Sequence, residues 1–345
     1  MTRVEVIAEA GVNHNGDVEL ACRLVQAAAR AGADTLKLQT FVPERVVSQH
    51  AELASYQRRT RGDRPGGQLQ MLRELRLDEA GHRRVAACCR DEGIALLSTP
   101  FDAPSLAFLV DELDLPRLKL PSGELTNAQL LDAAARTQRA LLISTGMATL
   151  DEVDAALRIV ADGRGHGADR ALADVTLLHC TSSYPAPVEQ ANLRALDTLR
   201  ERFALPVGLS DHTPGDVVAL AAAARGAVII EKHLTLDRSL PGPDHGASME
   251  PGELAELVGR LRDVERCLGD GIKRPQPCEA DVMRAARRSV VAARPIARGE
   301  VFVRDALDCK RPAGGISPMQ LSALLGRRAT RDYQPDELID RGDLP

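Results

Sequence analysis

The chain has 345 residues, and 44 Lys and Arg against 49 Asp and Glu leave a net charge of −5. That balance is too mild for a nucleic-acid or polyanion partner, and the length sets a prior of roughly two domains at ~150 residues each. A 44% hydrophobic content allows a packed core, and no run of ~18 apolar residues calls for a membrane span.

The first residues, Met1-Thr-Arg-Val-Glu5, carry charge where a secretory signal would be apolar. From Val4 onward one pattern repeats eight times: a short apolar run ending in polar residues, then an amphipathic helical stretch. The runs are Val4–Glu9, Thr35–Thr40, Ile94–Thr99, Leu118–Ser122, Ala140–Thr145, Val175–Thr181, Val207–Asp211 and Val228–His233. Nearly continuous apolar character marks strands buried on both faces. Helical segments between them include Asp17–Ala31, Leu77–Asp91, Thr149–Ala161, Asp216–Ala224 and Pro251–Leu268. Gly32, Gly93 and Gly226 suit helix C-termini, and Thr149-Leu-Asp-Glu152 has the spacing of a capping box. Eight strand–helix units fit a (β/α)8 TIM barrel over 1–270; a doubly wound open sheet is the runner-up. The long stretch from Phe41 to Arg76, with Arg58-Arg-Thr-Arg-Gly-Asp-Arg64 and Pro65-Gly-Gly67 inside it, reads as a lid, a binding loop or a solvated insertion. Residues 271–287 read as a linker, and 288–345 as a small α+β module with short β-like runs. Seven scattered cysteines without a C-x-x-C pair point to a reducing cytoplasm rather than a disulfide framework or a Cys zinc site.

In such a barrel the chemistry sits at the C-terminal ends of the strands. Those ends carry Glu9, Lys37 and Gln39, Thr99, Lys119, Ser122 and Glu124, Ser144, Ser182, Ser210 and His212, and Glu231 and His233. Lys37/Gln39, Ser210/His212 and Glu231/His233 are i, i+2 pairs, so each pair faces one side of its strand. His212 and His233 end successive strands and could share one divalent ion; two hydrogen-bonded core histidines is the alternative. Only five basic residues are lysines, and Lys37, Lys119 and Lys232 fall on barrel strands. Near Ser and Thr hydroxyls, Lys37 and Lys119 suit a phosphate or carboxylate cradle, a Schiff base or a plain salt bridge.

The blocks Ile7-Ala-Glu-Ala-Gly-Val-Asn-His-Asn-Gly16, Lys37-Leu-Gln-Thr40, Ser98-Thr-Pro-Phe101, Lys119-Leu-Pro-Ser-Gly-Glu124, Ser144-Thr-Gly-Met147, His179-Cys-Thr-Ser-Ser-Tyr-Pro185, Gly208-Leu-Ser-Asp-His-Thr213, Glu231-Lys-His233 and Gly242-Pro-Asp-His-Gly-Ala-Ser248 occur in order. Together they resemble the signature blocks of the sialic acid (nonulosonate) synthases, and Lys310-Arg-Pro312 resembles a motif of their C-terminal antifreeze-like SAF domain. The resemblance implies a transferase that condenses phosphoenolpyruvate with an N-acylmannosamine-type sugar, giving a nine-carbon 2-keto sugar acid and phosphate. It implies a divalent metal, Mn²⁺ or Mg²⁺, on His212 and His233, and a domain-swapped homodimer. Phosphoenolpyruvate contacts would be Lys37, Thr99, Lys119, Ser122, Ser144, Ser182 and Ser210. Sugar contacts would be Gln39, Glu124, Tyr184, Asp244 and, from the partner subunit, Arg311. Glu9 and Glu231 would be the catalytic acids, Glu231 as a carrier of protons. No sugar contact is assigned to the 41–76 stretch, and Tyr184 is the single aromatic residue placed in the site. A Schiff-base pyruvate aldolase and a non-catalytic sugar-binding protein are the rival classes. Within the family, the N-acetylneuraminic, legionaminic, pseudaminic and spore-coat acceptors stay open.

Overall fold

The computed structural model describes residues 3–54, 57–58, 67–165 and 171–344. These divide into one unit ending at Asp270 and a second beginning at Gly271. The first unit contains eight parallel strands: β1 (Glu5–Gly11), β2 (Thr35–Thr40), β3 (Ala95–Pro100), β4 (Arg117–Leu120), β5 (Ala140–Ser144), β6 (Val175–Cys180), β7 (Val207–Asp211) and β8 (Ile229–His233). They pair in the order β3-β2-β1-β8-β7-β6-β5-β4, and β3 and β4 lie side by side to close the ring. This is the (β/α)8 barrel, and the open-sheet alternative falls because the two end strands of that order, β3 and β4, meet.

Strand alternation sets what lies inside. Ile7, Leu97, Leu142, Leu178 and Ile229 form one buried cluster from five strands. Their outward neighbours join the larger core shared with the helices. Two residues further along the same strands, and so on the same inner face, stand Glu9, Thr99, Ser144, Cys180 and Glu231. An apolar plug thus underlies a polar layer, and the period of the strand fixes both.

The helices start where local chemistry supplies caps. Asp17 accepts from the amides of Glu19 and Leu20 ahead of Val18–Arg30, and the capping box at Thr149 and Glu152 is made in full. Gly93, in the left-handed region, ends Glu79–Glu92. Helices at Ala128–Arg136 and Ala195–Phe203, and Ala103–Ala107 running into a π-turn at Phe108–Glu112, stand where no helix was specified from sequence. Each is short, so its periodicity has few turns in which to declare itself. The 41–76 stretch contains helices at Pro43–Val46 and Gln68–Leu75. Most of its arginine-rich motif lies outside the described residues.

In the second unit, a helix at Ala280–Ala286 occupies part of the expected linker. β9 (Ser289–Ala292) and β10 (Leu307–Lys310) pair antiparallel over a core that includes Val290, Ile296, Phe302, Ile316, Tyr333 and Ile339. Among the described residues no helix is long and apolar enough to cross a membrane.

The inner plug depends on Gly208. A Cβ there would stand 2.7 Å from both the Ile229 carbonyl oxygen and Leu178 Cδ2. Gly208→Ala should therefore cost about 1–3 kcal/mol in urea unfolding. Gly259→Ala, on a helix position with open space around it, should gain about 0.5–1 kcal/mol.

Candidate active site

The register of neighbouring strands assembles four charges on the barrel axis. Glu9 lies opposite Lys37 on β2 and opposite His233 on β8. Ser210 on β7 lies opposite Glu231. The Lys37 ammonium contacts the Glu9 carboxylate and lies 2.8 Å from Glu231 Oε2. Lys119 Nζ is 3.5 Å from Glu231 Oε1, which also accepts the Ser210 hydroxyl at 2.8 Å. All four charged side chains are buried.

Burial works against each charge, and the neighbours decide the outcome. For Glu231 burial alone would raise the pKa, but Lys119, Lys37 and the Ser210 hydroxyl outweigh it and hold the carboxyl well below its usual range. A carboxylate held so low is a weak base at neutral pH. Ionised in this way, Glu231 bridges the two lysines. Burial and the nearby Lys119 push Lys37 down to about 7, against the pull of Glu231.

The expected anion-binding hydroxyls surround this cluster. Thr99 and Ser144 are buried at their strand ends, and Ser144 Oγ has no hydrogen-bond partner among the described residues. Ser122 lies beyond β4, in a 3-10 turn at Ser122–Glu124, and its Oγ accepts the Gly146 amide at 3.0 Å. A Cβ at Gly146 would collide with both Ser122 and Ser182, so these two hydroxyls converge on bare backbone. Gln39 Nε2 stands 3.5 Å from Glu9 Oε1. Gly11, at φ +51, keeps that corner open, because a Cβ would meet Glu9 Oε1 at 2.7 Å.

His212 and His233 face one another with ring centroids 5.3 Å apart, and Tyr184 lies over His212 at 4.2 Å. The Thr181 carbonyl, 2.9 Å from His212 Nδ1, accepts a hydrogen bond from that nitrogen, so the neutral ring carries its lone pair on Nε2. His233 is held well below its usual pKa by burial and by His212 and Lys37 beside it, so it is a neutral imidazole. Its Nδ1 is buried without a hydrogen-bond partner and lies 3.9 Å from Asp244 Oδ2. Two imidazoles with an acid alongside would fit a borderline divalent cation. Among the described residues no group of three or more His, Cys, Asp or Glu is arranged for a metal ion, so the fit is that of a two-histidine site. Burial pushes Asp244 up to about 6.

These groups line one cavity of about 550 Å³. Glu9, Lys37, Gln39, Thr99, Lys119, Ser122, Ser144, Ser182, Tyr184, Ser210, His212, Glu231, His233 and Asp244 all reach it. Glu124 departs from the expectation: its carboxylate accepts Asn127 Nδ2 at 2.7 Å, and it is absent from the cavity wall. Arg311 stands exposed in the second unit. Lys232 points outward, where it holds Asp211 at 2.8 Å.

The sequence reading missed one wall. Phe41, Val46, Met71, Leu72, Leu75 and Phe101 line it, and the 41–76 stretch supplies five of these six. Phe41 and Phe101 meet edge to face at 6.2 Å, so Tyr184 is not the single aromatic residue there. Met71, Leu72 and Leu75 recur at i, i+1 and i+4, an apolar face that the periodicity of Gln68–Leu75 could have revealed. Cys180 also lines the cavity and was not anticipated.

Comparison with known proteins places this barrel. The NeuB family model matches residues 24–273, and the SAF domain model matches 287–345. The chain is 44% identical over 339 residues to the N,N'-diacetyllegionaminic acid synthase of Campylobacter jejuni, covering 98% of this chain and 99% of that one. It is 33% identical to the human N-acetylneuraminate-9-phosphate synthase, covering 97% and 90% respectively. The crystal structure of the N-acetylneuraminic acid synthetase of Leptospira borgpetersenii matches with a TM-score of 0.69 at 33% identity, over 82% of this chain and 90% of that one. The chain belongs to the NeuB family and ends in a SAF domain.

Proposed function

We propose that the protein is a transferase that joins phosphoenolpyruvate to the open-chain aldehyde of an N-acylated amino sugar, giving a nine-carbon 2-keto sugar acid and inorganic phosphate. The observation that carries this reading is the buried Glu9–Lys37–Glu231–Lys119 cluster, ringed by hydroxyls and set beside two histidines. Lys37 and Lys119 hold the phosphate and carboxylate of phosphoenolpyruvate, with Thr99, Ser122, Ser144, Ser182 and Ser210 donating hydroxyls. The methylene carbon attacks the aldehyde carbon, and positive charge develops at the enol carbon. Glu9 faces that carbon and stabilises the charge. Water adds there; one of its protons goes to the oxygen of the former aldehyde and the other leaves with phosphate, as the carbon–oxygen bond to phosphate breaks and the ketone forms. A divalent ion, Mn²⁺ or Mg²⁺, held by His212 and His233 would supply Lewis-acid polarisation of the aldehyde. Gln39, Tyr184 and Asp244 hold the sugar through hydrogen bonds to its hydroxyls.

The acceptor we propose is a di-N-acetylated deoxy sugar of the legionaminic type. Two relatives at 44% identity carry that activity in their names, and the Phe41–Met71–Leu75 wall suits methyl and acyl groups better than a row of hydroxyls. The working form we propose is a homodimer in which Arg311 of the partner subunit completes the sugar site. Seven free cysteines support a reducing, cytoplasmic setting.

The reading is tested by phosphate release in a panel of acceptors. Release should depend on added sugar, and the diacetamido acceptor should exceed N-acetylmannosamine. Chelation should abolish activity and Mn²⁺ restore it; full activity in metal-free protein would overturn the histidine assignment. Pyruvate plus borohydride should leave Lys37 and Lys119 unmodified, whereas trapping would favour the aldolase.

Lys37 carries its charge below about pH 7 and loses it above. The kcat/KM for phosphoenolpyruvate should therefore fall as pH rises through about 7, and Lys37→Arg, which stays charged, should lack that limb. A flat wild-type profile between pH 6 and 9 would count against the lysine's role.

Arg311→Ala should raise the sugar KM far more than the phosphoenolpyruvate KM. Co-expression of Arg311→Ala with His212→Ala should restore activity in mixed dimers. No restoration would show that barrel and SAF domain act within one chain.

A further inference from the structure

β8 does not lead straight into the final barrel helix. The chain leaves the strand at Leu234, makes an excursion through Asp244, and returns at Met249, where it bridges to Leu234 again. The return is tied down by Met249 donating its amide to the His233 carbonyl at 2.8 Å and Thr235 donating to Met249 at 2.9 Å. Asp244, one of the residues facing the cavity, sits near the far end of this excursion.

A single buried amide joins its two ends. Asn13, just beyond β1, donates one Nδ2 hydrogen to the Leu234 carbonyl at 2.8 Å and the other to Ser248 Oγ at 2.9 Å. Ser248 passes its own hydroxyl hydrogen to the backbone carbonyl of Asp244 at 2.7 Å. Asn13 and Ser248 are each 1% exposed. Both hydrogens of the Asn13 amide are committed, while its Oδ1 has no partner among the described residues. The side chain thus acts here as a pure double donor, a role that neither Asp nor Ala can fill. A one-turn 3-10 helix at His245–Ala247 spans the gap between Asp244 and Ser248, so a pull on one is felt by the other.

We infer that Asn13 and Ser248 are positioning residues for acceptor-sugar binding: the relay from Asn13 through Ser248 to the Asp244 backbone sets where the Asp244 carboxylate stands in the cavity. This rests on the reading of Asp244 as a sugar contact. Neither residue touches the phosphoenolpyruvate side. Their loss removes the side-chain tie on the Asp244 carbonyl while the Lys37–Glu231 cluster, built on strand register, keeps its geometry. Buried in a dry environment, each bond in the relay is expensive to leave unmade.

The experiment measures both KM values and kcat in the dimeric, metal-supplemented enzyme for Ser248→Ala, Asn13→Ala, Asp244→Asn and the double variant Ser248→Ala/Asp244→Asn. Ser248→Ala removes both bonds of the relay, and loss of the one that reaches the Asp244 carbonyl predicts a sugar KM raised roughly 3–10-fold, with the phosphoenolpyruvate KM within about twofold. Adding Ser248→Ala to Asp244→Asn should raise the sugar KM no further. A lowered kcat with both KM values unchanged would mean less folded enzyme and would overturn the positioning role. A raised sugar KM in Asp244→Asn but not in Ser248→Ala or Asn13→Ala would overturn the relay and leave the sugar contact standing. An unchanged sugar KM in Asp244→Asn would overturn the contact itself. Should Asn13→Ala fail to fold, Ser248→Ala alone decides the question.

Discussion

The barrel is organised around a buried salt-bridge cluster. Two carboxylates and two ammonium groups, all buried, meet on its axis. Isolated, any one of them would carry a desolvation cost of several kcal/mol, and truncating one member of such a pair leaves the others uncompensated. The arrangement is tolerable because the strands deliver opposite signs at adjacent register positions. Glu9 stands beside Lys37, and Ser210 hydrogen-bonds Glu231. The same mutual dependence tunes the groups. The lysines hold Glu231 ionised, and Lys119 helps bring Lys37 within reach of neutral pH. A dianionic ligand entering this place meets ammonium groups already desolvated, which raises the strength of each contact.

The cluster also explains the layering beneath it. A polar layer needs a dry floor, and Ile7, Leu97, Leu142, Leu178 and Ile229 provide one. Because strand residues alternate, a hydrophobic residue at position i of the inner face commits position i+2 to the site. Architecture and chemistry share one periodicity, and a one-residue slip of β8 would turn both Glu231 and His233 out of the cavity.

That sharing is why so much was legible in the sequence. The strands Thr35–Thr40 and Val207–Asp211 lie where the apolar runs place them, and the polar residues at the ends of the runs converge in one cavity. What the sequence concealed came from tertiary packing. Glu124 carries the right chemistry, but Asn127, three residues on, captures its carboxylate. Proton affinity in Glu231 follows from two lysines remote in sequence, and no local pattern reports it. The apolar wall was hidden because Met71 and Leu75 read as one face of a short surface helix until the barrel mouth stands beside them.

The origin of that wall divides the cavity by inheritance. The floor is written into strands whose register the whole barrel enforces, so drift there is costly. The wall comes largely from an insertion between β2 and the helix Glu79–Glu92, which the strand ladder does not constrain. A lineage can therefore exchange Met71, Leu72 or Val46 and reshape that side of the cavity without disturbing the charged cluster built on the strands. The floor is bound to the fold, and the wall is not.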